Sequence, residues 1–314
     1  MGGSGFLGSA VVAALAGEPG VSAVVSADVR DPATRLDGVE YVAADVTRPE
    51  GLAALLGAHR IEVVIHLASI VNPGATTTAE QEYRVDVEGS RAVFAACLEA
   101  GVRRVVVSSS GAAYGYHADN PPWLVESDPL RGNDDFPYSR HKRLVEEQLA
   151  VLRSEHPELE QVVFRIGTIL GPTVRNQITA LWEGRRILEI VGSESPFVFV
   201  WIDDVVAAMV RAATGGPAGI YNVAGDGRVT VREIAALLGK RTLRLPAWVL
   251  AAALAVGHAL RLTPHGAAQV AFLRYRPVLA NDALTTRFGL TPSRTSRETF
   301  LEYRRAHWGT PVSE

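Results

Sequence analysis

Short β-branched runs alternate with Ala- and Leu-rich helical stretches through the first half of this 314-residue chain. Residues 21–27, 39–44, 61–67, 102–107 and 161–166 read as strands; stretches near 5–16, 49–58, 80–100 and 139–154 read as helices. Strands that are almost continuously apolar must be buried on both faces, and helices between them make the connections parallel. The expected fold is therefore α/β, a doubly wound parallel sheet. With 47% hydrophobic residues the chain can bury a substantial core.

Beyond Ile166 the pattern is less regular. Short strands at 188–191, 197–201 and 219–223 mix with helices at 202–214 and 231–238, followed by an apolar segment at 245–260 and a polar C-terminal helix. This half reads as a smaller α+β lid at the C-terminal ends of the strands, where open α/β sheets bind ligands.

Several classes of function are excluded. A formal net charge of −3 lacks the basic surplus that drives nucleic-acid binding. The apolar stretch at 247–257 falls well short of the roughly 20 residues needed to span a bilayer, and no positive residue precedes the first apolar run as a signal peptide requires. A soluble protein in the cytoplasm is expected, without a membrane partner. Cys97, the one cysteine, reads as a small buried hydrophobe. The 31 basic residues include only two lysines, Lys142 and Lys240, so a position that keeps lysine invites a chemical reason.

Gly2, Gly5 and Gly8 form G-x-x-G-x-x-G at the start of a helical pattern, with Phe6 and Leu7 inside it. Glycines let the backbone approach a pyrophosphate, and the helix N-terminus offers unpaired N–H groups. The next strand ends near Asp28, whose carboxylate can accept both hydroxyls of an adenosine ribose and repels a 2′-phosphate. NAD is favoured over NADP, with Arg30 keeping the second open. Such a loop should follow a strand, yet only Met1 precedes it. The first strand is missing from this chain, and the expectation is that the native start lies upstream.

The strand at 102–107 runs into Ser108-Ser109-Ser110, and Tyr138-Ser-Arg-His-Lys142 opens a later helix. Tyr and Lys at i and i+4 share one helical face. The Lys142 ammonium would favour the phenolate form of Tyr138, fitting it to accept a proton.

These motifs resemble the extended short-chain dehydrogenase/reductase superfamily, in its NAD-dependent epimerase/dehydratase family. The resemblance extends over GGSGFLG, the Asp45-Val46 pair, IHLAS at 65–69, SSSGAAYG at 108–115, YSRHK at 138–142, FRIGTILGP at 164–172, VWIDDV at 200–205 and IYNVAG at 220–225. It implies that Asp45 and Val46 lie by the adenine, that Leu67, Ala68 and Ser69 line the cofactor, and that Ser110 hydrogen-bonds the reacting oxygen. Tyr138 would be the acid/base, and Lys142 would also hold the nicotinamide ribose. Residues 1–165 would form the Rossmann-type NAD-binding domain and 166–314 the substrate-binding region, with 197–226 packing back onto the first. Relatives usually dimerise, so a homodimer is possible.

Departures from the family pattern bear on substrate. Gly111 and Ala112 replace the acidic pair usual in dehydratases. Phe197 and Trp201 stand where nucleotide-sugar enzymes usually carry an Arg and a His, and Thr168 replaces a common Asn. A diphosphate needs cationic or N–H partners, so these replacements point to hydride transfer at a secondary alcohol or ketone of a fairly apolar small molecule. The alternative is a nucleotide-sugar epimerase that keeps NAD bound, with Arg175, Asn176, Arg185 and Arg186 supplying the polar contacts. A dinucleotide-sensing regulator is a third reading, disfavoured because Tyr138 and Lys142 are both present. Asp86 replaces the family's Asn. His66 reads as a packed strand-end residue, His117 and His141 as loop and surface residues, and no metal set is expected.

Overall fold

The computed structural model describes residues 1–74, 76–260 and 269–309. In chain order the first half runs α1 (Phe6–Ala16), β1 (Val24–Asp28), β2 (Val39–Ala43), α2 (Leu52–Ala58), β3 (Val63–His66), α3 (Ala79–Tyr83), α4 (Gly89–Glu99), β4 (Arg104–Ser110), α5 (Pro137–Glu155) and β5 (Glu160–Ile166). The second half adds β6 (Thr168–Leu170), β7 (Arg186–Ile190), β8 (Phe199–Trp201), α6 (Ile202–Thr214), β9 (Gly219–Val223), α7 (Val231–Leu237), β10 (Arg241–Leu245), α8 (Ala247–Ala259), α9 (Gln269–Arg274) and α10 (Ser296–Trp308).

The central sheet is parallel, in the order β3-β4-β5-β9, with Val106 of β4 opposite Val162 of β5. Side chains alternate across a strand. Val105 and Val107 therefore pack on one face with Val93, Phe94 and Cys97 of α4 and Val145 and Leu149 of α5. Val106 packs on the other face with Val11 of α1 and Val205 and Met209 of α6. Helices cover both faces, which is the doubly wound arrangement expected from the apolar strands. Cys97 is fully buried, and burial pushes its thiol up to about 12.

β1 and β2 form a separate parallel pair. Among the described residues no strand joins β1 to β3 by a hydrogen-bonded ladder. The first residues bridge that interval: the Met1 amino group donates to Ile65 O at 2.8 Å, Leu67 N donates to Met1 O, and Gly2 N donates to Ala27 O, both at 2.9 Å. These bonds fall at the C-terminal ends of β1 and β3, so the glycine turn starts where the ligand crevice of such a sheet lies.

The span expected as one helix at 80–100 is interrupted by a π-helical turn at Arg84–Glu88 between α3 and α4. Gly89 follows it; a Cβ there would lie 2.6 Å from Val46 Cγ2, so the close approach of α4 to the 45–46 turn requires glycine. In the second half, β9 joins the main sheet beside β5, β6 pairs with β8, and β7 pairs with β10. Trp182, Phe197, Phe199, Phe300 and Tyr303 form the core of this half. No described helix is long and apolar enough to cross a membrane.

Candidate active site

The glycine turn leaves a cradle. Gly2 has φ +82°, and a Cβ on it would lie 2.6 Å from Ala68 N; a Cβ on Gly8 would collide with Gly2 O. Gly5 caps α1 without any side-chain hydrogen bond, so the first N–H groups of this 11-residue helix lack a side-chain cap. Leu7 packs into the core while Phe6 is half exposed. Asp28 accepts hydrogen bonds from Ser4 N and Arg30 N, each at 3.0 Å, which fixes its carboxyl at the strand end beside the glycine turn.

Asp45 accepts from Thr47 N and Oγ1, and these bonds hold its carboxyl below the usual range. Val46 is buried, and Leu67, Ala68 and Ser69 are half-buried at the end of β3. The hydroxyl oxygen of Ser69 is buried with no hydrogen-bond partner. A buried hydroxyl without a partner is costly unless a ligand completes it. The glycine cradle, the uncapped helix start, Asp28 and this orphaned hydroxyl fit a dinucleotide.

Ser110 ends β4, and its Oγ accepts from Ala112 N at 3.1 Å, leaving the hydroxyl proton uncommitted among the described residues. Pro137 at the first position of α5 needs no N–H partner there, so the helix starts cleanly one residue before Tyr138. Ser139 Oγ donates to Ala112 O at 2.6 Å, tying the start of α5 to the turn after Ser110. Lys142 Nζ donates to Ser108 O at 3.0 Å and lies 5.5 Å from the centroid of the Tyr138 ring. Tyr138 is half-buried and Lys142 buried. The structure thus gathers all three expected catalytic side chains around the end of β4 and the first turns of α5.

Two groups behind them escaped the sequence reading. Glu146, one turn beyond Lys142, is buried and ion-paired with Arg165 of β5. His141 is only 3% exposed, not at the surface, because three residues from Tyr138 is close to one helical turn and points inward. Its Nδ1 lies 3.0 Å from Oδ2 of buried Asp86. His66 is packed at the end of β3, with Nε2 2.9 Å from Ser90 Oγ. His117 is a loop residue held by Arg131 O.

The expected substrate residues fare differently. Thr168 opens β6, opposite Phe199. Arg175 is exposed. Asn176 precedes the short helical turn at Thr179–Trp182, its side-chain oxygen accepting from Ile178 N and Thr179 N. Phe197 and Trp201 are 2% and 5% exposed and pack in the aromatic core of the second half, where Phe197 also lines a small cavity. Alternation along the strand turns both inward, and the core takes large apolar side chains first.

The face of Phe197 instead carries a cation. Arg276 lies with its guanidinium 3.8 Å from the Phe197 ring centroid and 5.3 Å from that of Phe272. Its Nη1 donates to Ser195 O at 3.0 Å, presented by a residue in the left-handed region at φ 45°. Its Nε is buried without a partner, and no acidic side chain pairs with it among the described residues. Burial pushes Arg276 down to about 9, a measure of how poorly the cation is compensated. A small cavity beside it is lined by Leu181, Trp182, Ile187, Ile190 and Phe197. Phe272 stacks on Phe136 and packs with Tyr116 in the cluster that also touches Tyr138. No sequence pattern singles out Arg276, one arginine among many. Among the described residues no group of His, Cys, Asp and Glu side chains could hold a metal ion.

Residues 1–224 match the model of the NAD dependent epimerase/dehydratase family. A UDP-glucose 4-epimerase of Mycolicibacterium smegmatis is 30% identical over 253 residues, covering 74% of this chain and 78% of the relative. An uncharacterized protein of Mycobacterium tuberculosis is 25% identical over 312 residues, covering 98% and 83%. Among solved structures, the Thermotoga maritima UDP-glucose 4-epimerase with UDP-glucose superposes with a TM-score of 0.73 at 20% identity, covering 97% of each chain. The Thermus thermophilus UDP-glucose 4-epimerase in complex with NAD gives 0.71 at 23% identity, covering 98% of each.

Proposed function

Because the chain belongs to the NAD dependent epimerase/dehydratase family, and is thus an NAD-dependent enzyme, we propose that its substrate is a nucleotide diphosphate sugar, epimerised at a secondary alcohol. The observation that carries this reading is Arg276, a half-buried cation whose buried Nε has no partner and which no acidic side chain pairs with among the described residues. A buried guanidinium with an unpaired N–H is costly alone and is relieved by an anion that accepts bidentate hydrogen bonds, as a diphosphate does. The apolar-substrate expectation rested on Phe197, Trp201 and Thr168, and the placement of Arg276 on the face of Phe197 favours an anionic substrate over it. The UDP-glucose 4-epimerase among the relatives supports the same class.

In this reading Tyr138 Oη takes the proton of the sugar hydroxyl, and Ser110, whose hydroxyl proton is uncommitted, donates to the same oxygen as charge develops. Lys142, anchored on Ser108 O, supplies positive charge one turn away. The Leu67–Ser69 segment and the glycine turn would hold NAD, which supplies a reversible hydride acceptor. Tyr138 Oη would give its proton back to the same oxygen when the alcohol re-forms, so inversion of the centre would leave no net redox change.

The test is UDP binding and turnover in Arg276→Met. UDP at 100 times its Kd should stabilise the parent protein by about 2.7 kcal/mol, and the variant should lose that increment. The ligand-free variant should melt no lower than the parent, since an apolar side chain replaces an uncompensated charge. A parent protein whose melting temperature ignores UDP, and which reduces NAD stoichiometrically with an apolar alcohol, would overturn the proposal.

A further inference from the structure

Asp86 sits in the middle of the π-helical turn Arg84–Glu88 and is 4% exposed. Its two carboxyl oxygens face two different parts of the active site. Oδ1 accepts from Ile70 N at 2.8 Å, directly after the Leu67–Ser69 segment; Oδ2 lies 3.0 Å from Nδ1 of His141, the residue before Lys142 on α5. An ionised carboxyl only accepts, so in this pairing His141 carries its proton on Nδ1. The Asp86 main-chain carbonyl is occupied separately, by Ser90 Oγ. Helical insertions of this kind re-aim a side chain relative to a regular helix, and they concentrate at functional sites.

We infer that Asp86 is a positioning residue, a single side chain that fixes the distance between the cofactor-side segment 67–70 and the catalytic helix by bonding to both. His141 is its second half, passing the constraint to Lys142 by one peptide bond and to Tyr138 by one helical turn. The other hydrogen bonds of α5 run elsewhere: Ser139 holds it to the Ser110 turn, Lys142 to β4, Glu146 and Arg165 to β5, and Gln148 to Val87 O of the π-helical turn, and none of these reaches residues 67–70. Without the Asp86 bridge the segment carrying the orphaned Ser69 hydroxyl and the helix carrying Tyr138 would each keep their own fold but lose their mutual spacing. A displacement of about 1 Å between reacting groups lowers kcat by about 10²-fold.

The experiment compares Asp86→Asn with Asp86→Leu. Asparagine keeps an oxygen for Ile70 N and offers an N–H₂ to His141, which answers with its other tautomer; leucine fills the volume and bonds to neither. NAD affinity and kcat with UDP-glucose as probe should stay within about threefold of the parent in Asp86→Asn, and each should fall at least about tenfold in Asp86→Leu, with KM for UDP-glucose little changed. If Asp86→Leu does not fold, His141→Leu against His141→Asn makes the same comparison, because an asparagine N–H can replace the Nδ1–H. Equal NAD affinity in the leucine and asparagine variants, or a loss confined to melting temperature, overturns the inference. The kcat arm rests on the proposed substrate class and the NAD arm does not. A parent protein inactive on UDP-glucose would therefore count against that proposal alone, and NAD affinity would still decide this one.

Discussion

Arg165 on β5 clasps Glu146 on α5 from the side, with Nε 2.9 Å and Nη2 2.7 Å from Oε2, and both side chains are 4% exposed. Ser109 Oγ donates to the other oxygen of Glu146, and Arg165 Nη1 donates to Tyr114 Oη at 2.8 Å. Burial pushes the Tyr114 phenol up to about 12, so it stays neutral with a single proton to donate, and two acceptors, Asn222 Oδ1 and Val125 O, each lie 2.9 Å from its oxygen. This network sets how deeply α5 seats against β4 and β5. Removing one member leaves a buried charge unpaired, so Glu146→Leu should cost about 3–5 kcal/mol in urea unfolding. The double variant Glu146→Leu with Arg165→Met should recover much of that loss, because no charge is left behind.

Tyr138→Phe removes the proposed acid/base hydroxyl and little else, since the half-buried ring keeps its packing beside Tyr116 and Phe136. Turnover should fall by about 10²–10⁴-fold while NAD affinity and melting temperature stay near those of the parent. Rate measurements on purified protein with its NAD content determined separately would check this. A variant that retains turnover would remove Tyr138 from the mechanism.

The sheet and the Ser110–Tyr138–Lys142 cluster were legible in the sequence because each rests on a local pattern: apolar runs of strand length, and an i, i+4 pair opening a helix. The interruption of the 80–100 helix was not legible, because a π-turn leaves apolar periodicity nearly intact and depends on Gly89 meeting Val46 across the fold. Arg276 was not legible for a related reason: its place on the face of Phe197, 79 positions earlier, depends on tertiary packing. His141 could have been placed by extending the helical phase from Tyr138 and Lys142 to all of α5.

Asp28 makes a prediction about cofactor choice. Its oxygens are held by Ser4 N and Arg30 N in the place where an adenosine ribose would meet the strand end. A 2′-phosphate on that ribose would face the Asp28 carboxylate, with the exposed Arg30 guanidinium 3.9 Å from Oδ1 only partly offsetting it, so the parent should bind NAD more tightly than NADP. Asp28→Ser should weaken NAD by about 1.5–3 kcal/mol, the worth of charge-assisted hydrogen bonds, and narrow the gap to NADP. Titrating both dinucleotides against both proteins checks it; a parent that prefers NADP would point to Arg30 instead.

His66 makes the fold acid-sensitive. Burial pushes it down to about 3 from a reference of 6.5, with the nearby Met1 amino group and Lys142 adding to the shift. Between those values the unfolded chain binds a proton that the folded chain refuses, so stability falls as pH falls from 6.5 toward 3, by about 1.4 kcal/mol per unit. Above 6.5 the contribution is complete and flat. From pH 7 to pH 5 the parent should lose about 2 kcal/mol through this group. His66→Gln, which keeps a hydrogen-bonding side chain beside Ser90 but does not titrate, should lose that much less over the same interval. Urea unfolding of both proteins at the two pH values measures the difference, and parallel losses would show that His66 is protonated in the folded state.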